Sequence, residues 1–108
     1  MGLDVYKNML NEELNRKRKA LNAFELDIIN NDRKPIYTKR VKNNYYIYIN
    51  DGSKGNFHYK LLGNKKSFSK AELAKLEFNS KKYDENNKSI NDIKDDISKL
   101  ERMIKILG

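Results

Sequence analysis

The chain has 108 residues, 38% hydrophobic and 35% charged, with a net charge of +8 at pH 7, a length that predicts one domain with a modest core and no large buried pocket. The absence of Cys and the presence of a single His exclude a disulfide framework, thiolate chemistry and a His-based zinc site. No apolar run approaches the roughly eighteen residues that cross a bilayer, and MGLDVYKNML lacks the basic start and apolar stretch of a signal peptide, so the expectation is a cytosolic protein with no membrane partner.

Three segments follow one another, read together as a single domain: residues 1–32, 33–68 and 69–108. Apolar periodicity predicts a helix over roughly residues 3 to 30, because Leu3, Leu10, Leu14, Leu21, Phe24 and Ile28 recur three, four or seven apart and share one stripe. Lys17 interrupts that stripe. It belongs to the run Arg16-Lys17-Arg18-Lys19, which a helix spreads around its circumference, so the sequence does not say which surface the run joins. Asn30-Asn31-Asp32-Arg33-Lys34-Pro35 then stops the helix, since Asn and Asp favour turns and the residue before Pro avoids helical angles.

The middle segment holds the charge. Residues 33–70 carry ten Lys and Arg against the single Asp51, a balance of +9, while residues 1–32 sum to −1 and residues 71–108 to zero. Seven of the eleven aromatics lie in the same stretch: Tyr37, Tyr45, Tyr46, Tyr48, Phe57, Tyr59 and Phe68. β-branched and aromatic runs bounded by turn residues predict three strands in a meander, Ile36–Val41, Tyr45–Asn50 and Phe57–Leu62. A turn at Lys42-Asn43-Asn44 joins the first two, a looser loop opened by Asp51-Gly52 joins the second to the third, and Gly63-Asn64 closes the third.

The last segment predicts a longer helix. Ile90, Ile93, Ile97, Leu100, Ile104 and Leu107 alternate three and four apart, a coiled-coil seam. Ser69-Lys70-Ala71-Glu72 matches a capping box, with Phe68 and Leu73 as its hydrophobic staple. Backwards the seam becomes polar, with Asn86 and Asn79 interleaved with Tyr83 and Leu76.

Together these elements predict an α+β fold: a long helix, a three-stranded antiparallel β-meander and a longer helix, the two helices forming an antiparallel hairpin with the sheet at its connected end. If Ile28 lies near Leu73, Lys17 falls opposite the Tyr83 to Asn86 region, so one polar gap meets the other. The longer helix then leaves Ile104 and Leu107 partly unpartnered. With Ile97 and Leu100 they form an interaction seam suited to a homodimer.

Tyr45-Tyr46-Ile47-Tyr48, a Gly-containing loop and Tyr59-Lys60-Leu61-Leu62-Gly63, followed by a coiled-coil helix, resemble small uncharacterised bacterial and phage-associated proteins with a tyrosine-rich hairpin between two helices. The resemblance implies the architecture and a mobile-element setting. The same motifs look superficially like the paired strands of GIY-YIG nucleases. That family needs a Gly where this chain has Asn44, an intact second triplet, a helical Arg and a metal-binding Glu, and the match is set aside.

Catalytic constellations are scarce. His58 has no partner nucleophile, and the pairs Glu12-Glu13, Asp84-Glu85 and Asp95-Asp96 sit among lysines, with adjacent helical positions pointing about 100° apart. Asp92, Asp95 and Asp96 suit at most a weak Mg²⁺ site. The expectation is a non-enzymatic protein with no cofactor.

The basic, aromatic meander points instead to a polyanion. With Ile47 and Ile49 facing the helices, Tyr46 and Tyr48 turn outward. Placing Phe57, Tyr59 and Leu61 inward sends His58 and Lys60 to the same wet face, which Tyr37 and Lys39 join from the first strand. Arg40, Lys42, Lys65, Lys66 and Lys70 complete the expected nucleic-acid-binding set, the last three flanking a helix start whose backbone amides favour an anion. Tyrosines stacking on unpaired bases and cations holding phosphates suit single-stranded or distorted nucleic acid, or a nucleoprotein. Tyrosines are also good strand formers, and edge lysines discourage aggregation. Two other readings stand beside this one: an inhibitor of a host defence complex, anti-CRISPR-like, and a coiled-coil adaptor.

Overall fold

In a computed structural model, the structure describes residues 2–50 and 58–108. The expected Asp51-Gly52 turn and the expected strand start at Phe57 lie outside the described residues. In chain order the elements are α1 (Gly2–Asn30), β1 (Ile36–Val41), β2 (Asn44–Asn50), β3 (Tyr59–Asn64), a 3₁₀ turn (Lys65–Ser67) and α2 (Lys70–Leu107). This is the expected α+β arrangement, with an antiparallel sheet in the order β1-β2-β3. The chain packs as two compact units, Met1–Asp27 with Asn86–Gly108, and Ile28–Glu85.

The first unit is a pair of helices. Leu10, Leu14 and Ile90 are buried, and Leu21, Phe24, Ile93, Ile97, Leu100, Ile104 and Leu107 are half-buried, so the apolar seams are the packed faces. Asn86 Nδ2 donates to Asp27 Oδ2 at 2.5 Å, and Lys17 Nζ lies 3.2 Å from Asp96 Oδ2. Going from the first pair to the second moves ten residues back along α1 and ten forward along α2. The helices therefore run antiparallel with a defined register. Each polar interruption of the seam is matched: buried Asn86 by Asp27, and Lys17 by Asp96.

That register corrects the expected one. Lys17 does not meet the Tyr83 to Asn86 region, because residues 70–85 of α2 belong to the unit that contains the sheet. The surplus length of α2 is taken up there, not at its C-terminus. Carrying the register outward sets Tyr6 level with about position 107 and Leu3 beyond the end of α2 at the same rise per residue, and Leu3 is 67% exposed. Ile104 and Leu107 are half-buried within their own chain.

In the second unit α1 ends as its sequence indicates. The Arg33 N–H donates to the Ile28 carbonyl at 2.9 Å and Asp32 N–H to the Ile29 carbonyl at 3.3 Å, with Asp32 at φ 50°. This pair of bonds is a Schellman motif with Asp32 in the left-handed position. The chain then turns through Pro35, whose carbonyl accepts from Asn50 N–H at 3.0 Å and opens the β1–β2 ladder. Val41 pairs with Asn44, leaving a two-residue turn with Lys42 at φ 58°, and Arg40 Nε donates to the Lys42 carbonyl at 3.1 Å across it. Strand β2 therefore starts at Asn44, one residue earlier than expected.

The polar half of α2 is satisfied in this unit. Arg33 Nη1 donates to Asn79 Oδ1 at 2.6 Å, and Ser80 Oγ accepts from the Ile36 N–H at 3.1 Å. The start of α2 follows its sequence: Ser69 Oγ accepts from Glu72 N–H at 3.1 Å and Glu72 Oε1 accepts from Ser69 N–H at 3.4 Å, a closed capping box.

Candidate nucleic-acid interface

Strand alternation gives the sheet two faces, and pairing decides which residues share each. On β1 and β2 the register is Ile36 with Ile49, Tyr37 with Tyr48, Thr38 with Ile47, Lys39 with Tyr46 and Arg40 with Tyr45. One face thus carries Ile36, Ile47 and Ile49. Ile47, at 1% exposure, is the only fully buried large side chain among the described residues. The other face carries Tyr37, Lys39, Tyr46 and Tyr48. To this point the sequence expectation holds.

β3 departs from it. Tyr46 pairs with Asn64 and Ile47 with Gly63, but Tyr48 then pairs with Leu61, Ile49 with Lys60 and Asn50 with Tyr59, so Leu62 is an extra residue. A bulge of one residue inverts the alternation of everything on its far side. Tyr59 and Leu61 therefore share the Tyr48 face instead of the Ile47 face, and Lys60 falls on the Ile49 side. His58 precedes β3, is exposed, and donates its backbone N–H to Asn50 Oδ1 at 3.3 Å. Neither His58 nor Lys60 joins the tyrosine face as expected. The glycine at the bulge explains the inversion: Gly63 sits at φ +148°, a conformation that side-chain-bearing residues rarely adopt. Pairing continues through Gly63 and Asn64 instead of closing at them. Asn64 Oδ1 then accepts from Lys66 N–H at 3.1 Å to cap the 3₁₀ turn.

The open face is aromatic. Tyr37 is its hub, with ring centroids 6.5 Å from Tyr48 and 6.3 Å from Tyr59, tilted by 45° and 60°. Such tilted pairs lie in the favourable range of aromatic contacts. Tyr37, Tyr59 and Leu61 are each more than half exposed, a large apolar commitment to solvent in a small protein. Tyr37, Lys39, Tyr48 and Tyr59 line an open depression of 370 Å³.

Cations gather at one end of this face. Lys39 is level with Tyr46 and Asn64, the hairpin turn holds Lys42, and Lys65 and Lys66 follow Asn64 directly. All four are exposed. Arg40 sits apart, on the opposite face, its guanidinium 5.9 Å from the Tyr45 ring centroid. Lys70 is the first residue of α2, where the Ser69 and Glu72 cap already occupies the helix start and puts a carboxylate beside it, so the expected anion site there is compromised. The unit as a whole is strongly basic: residues 28–85 carry thirteen Lys and Arg against six Asp and Glu, a balance of +7.

A second group of cations surrounds an exposed ring. Arg33 Cζ and Lys82 Nζ stand 5.3 and 5.6 Å from the Phe78 ring centroid. Of the run Arg16 to Lys19, Arg16 pairs with Glu13, Lys17 with Asp96, and Arg18 with Glu101 at 3.4 Å. Those charges lie in the first unit and are neutralised locally.

Sequence reasoning missed Tyr59 and Leu61 as open-face residues. The signal was Gly63, since an isolated Gly within a strand pattern marks a bulge. Among the described residues no cluster of three His, Asp or Glu side chains could hold a metal ion, and no helix is long and apolar enough to cross a membrane. Compared with protein-family models, curated proteins and solved structures, the chain has no match.

Proposed function

We propose that this chain is a non-enzymatic binding protein that engages nucleic acid through the open face of its sheet. One observation carries the reading: exposed Tyr37, Tyr59 and Leu61 with half-buried Tyr48 form a cluster continuous with Lys39, on a sheet whose hairpin end carries Lys42, Lys65 and Lys66, in a unit of net charge +7. Rings offer stacking to any base, and the adjacent ammonium groups offer contacts to phosphate. Duplex DNA hides its base faces in the stack, so a face of this kind favours unpaired bases.

The test is fluorescence-anisotropy binding to labelled single-stranded and duplex DNA and RNA across a salt series, with Tyr48→Ala and Lys39→Ala alongside. Binding that weakens steeply with salt and is lost in folded variants supports the reading. No binding at low salt sinks it.

A second reading is favoured by the same exposed apolar surface, because tyrosine and leucine clusters also form the cores of protein interfaces. On that reading the chain inhibits a host defence complex, in line with the phage-associated proteins its hairpin resembles. A protein interface of this kind keeps its affinity as salt rises, and phosphate binding does not.

A further inference from the structure

We infer that the depression on the open face is a socket for a single unpaired nucleotide, with the base against the tyrosines and one phosphate at Lys39. The inference rests on the nucleic-acid reading and goes further, since it sets how many bases the face engages. A flat sheet with parallel rings would be a platform on which successive bases stack. Here the rings of Tyr48 and Tyr59 are tilted 45° and 60° to that of Tyr37, and the three line one depression. The open depression of 370 Å³ lies at the small end of ligand clefts, which run from about 300 to 1,000 Å³. That is room for one base and its sugar, not for a run of them.

The lining chooses the charge of the ligand. Three phenol rings could also cage an alkylammonium group, whose cation would sit over the ring faces. Among the described residues the fourth lining residue is Lys39, and none of the lining residues is a carboxylate. In a unit of net charge +7 an anionic ligand is favoured over a cation. The phenolic hydroxyls can donate to and accept from base edges. A base within a duplex would first have to be extruded from its stack, so single strands, ends and flipped bases are the substrates.

The test uses the full chain and labelled twelve-nucleotide DNA strands of equal charge: fully abasic, abasic with one central thymine, and all-thymine. The socket predicts that one base raises affinity over the abasic strand by roughly 5- to 150-fold, the range for stacking one base. It also predicts that further bases add only a statistical factor. Tyr37→Leu and Tyr59→Leu should erase the gain from the added base, with circular dichroism confirming that each variant is folded. Equal binding of all three strands overturns the socket but leaves the nucleic-acid reading standing. A gain that multiplies with each added base also overturns it, in favour of a platform. Failure of every strand to bind at low salt defeats the nucleic-acid reading itself. Competition by tetramethylammonium at unchanged ionic strength would assign the depression to a cation and overturn the socket.

Discussion

The helix register can be tested through the Asp27–Asn86 pair. Asn86 is 8% exposed and donates to the Asp27 carboxylate at 2.5 Å. A hydrogen bond to a charged partner contributes about 1.5–3 kcal/mol, which removing the donor forfeits. Asn86→Ala should therefore cost about 2 kcal/mol, equivalent to roughly 8 °C in Tm for a chain of this size. In a double-mutant cycle with Asp27→Ala, followed by urea unfolding and helical circular dichroism, the coupling should exceed about 1 kcal/mol. The Lys17–Asp96 pair is about one-third and one-half exposed, so its coupling should fall in the range of about 0.2–1 kcal/mol that solvent-screened pairs give. A Lys17–Asp84 cycle is the control, because it would be coupled only in the register that pairs Ile28 with Leu73. Coupling below about 0.5 kcal/mol at Asp27–Asn86, or a larger value for Lys17–Asp84 than for Lys17–Asp96, would refute the reasoning.

Other perturbations probe the sheet. Ile47→Ala empties the best-buried position and should cost about 3 kcal/mol by denaturant unfolding; a loss below about 1 kcal/mol would place the core elsewhere. Gly63→Ala has ordinary contacts with Phe68 and Ser67 but the wrong backbone conformation, so it should cost about 1–2 kcal/mol and broaden the β3 amide resonances. Lys42→Gly relieves a left-handed lysine and should raise stability by about 0.5–1 kcal/mol while weakening oligonucleotide binding. Ile97→Ala with Ile104→Ala should destabilise the chain at a cost independent of protein concentration; a dilution-dependent midpoint would instead mean that these residues hold two chains together.

How much of this was legible in the chain follows from the range of each interaction. The helix stop at Asn30 to Pro35 and the capping box at Ser69 to Glu72 involve residues within six positions of one another, and both are present as read. The β1–β2 hairpin is equally local, so the Tyr37, Lys39, Tyr46 and Tyr48 face was foreseeable from alternation alone. β3 was not, because one bulged residue inverts its faces and a sequence of alternating residues reads the same in either phase.

By itself, then, the sequence determined the element order, the two apolar seams, the caps and the concentration of charge and tyrosine in the middle third. These depend on periodicity and near-neighbour chemistry. Only the tertiary structure decided that Tyr59 and Leu61 join the open face while Lys60 leaves it, and that α2 gives its first half to the sheet's unit and its second to α1. Both depend on register between segments far apart in the chain. Register there is set by a glycine's backbone angle at position 63 and by buried partners such as Asp27 and Asn86, whose pairing no local pattern encodes.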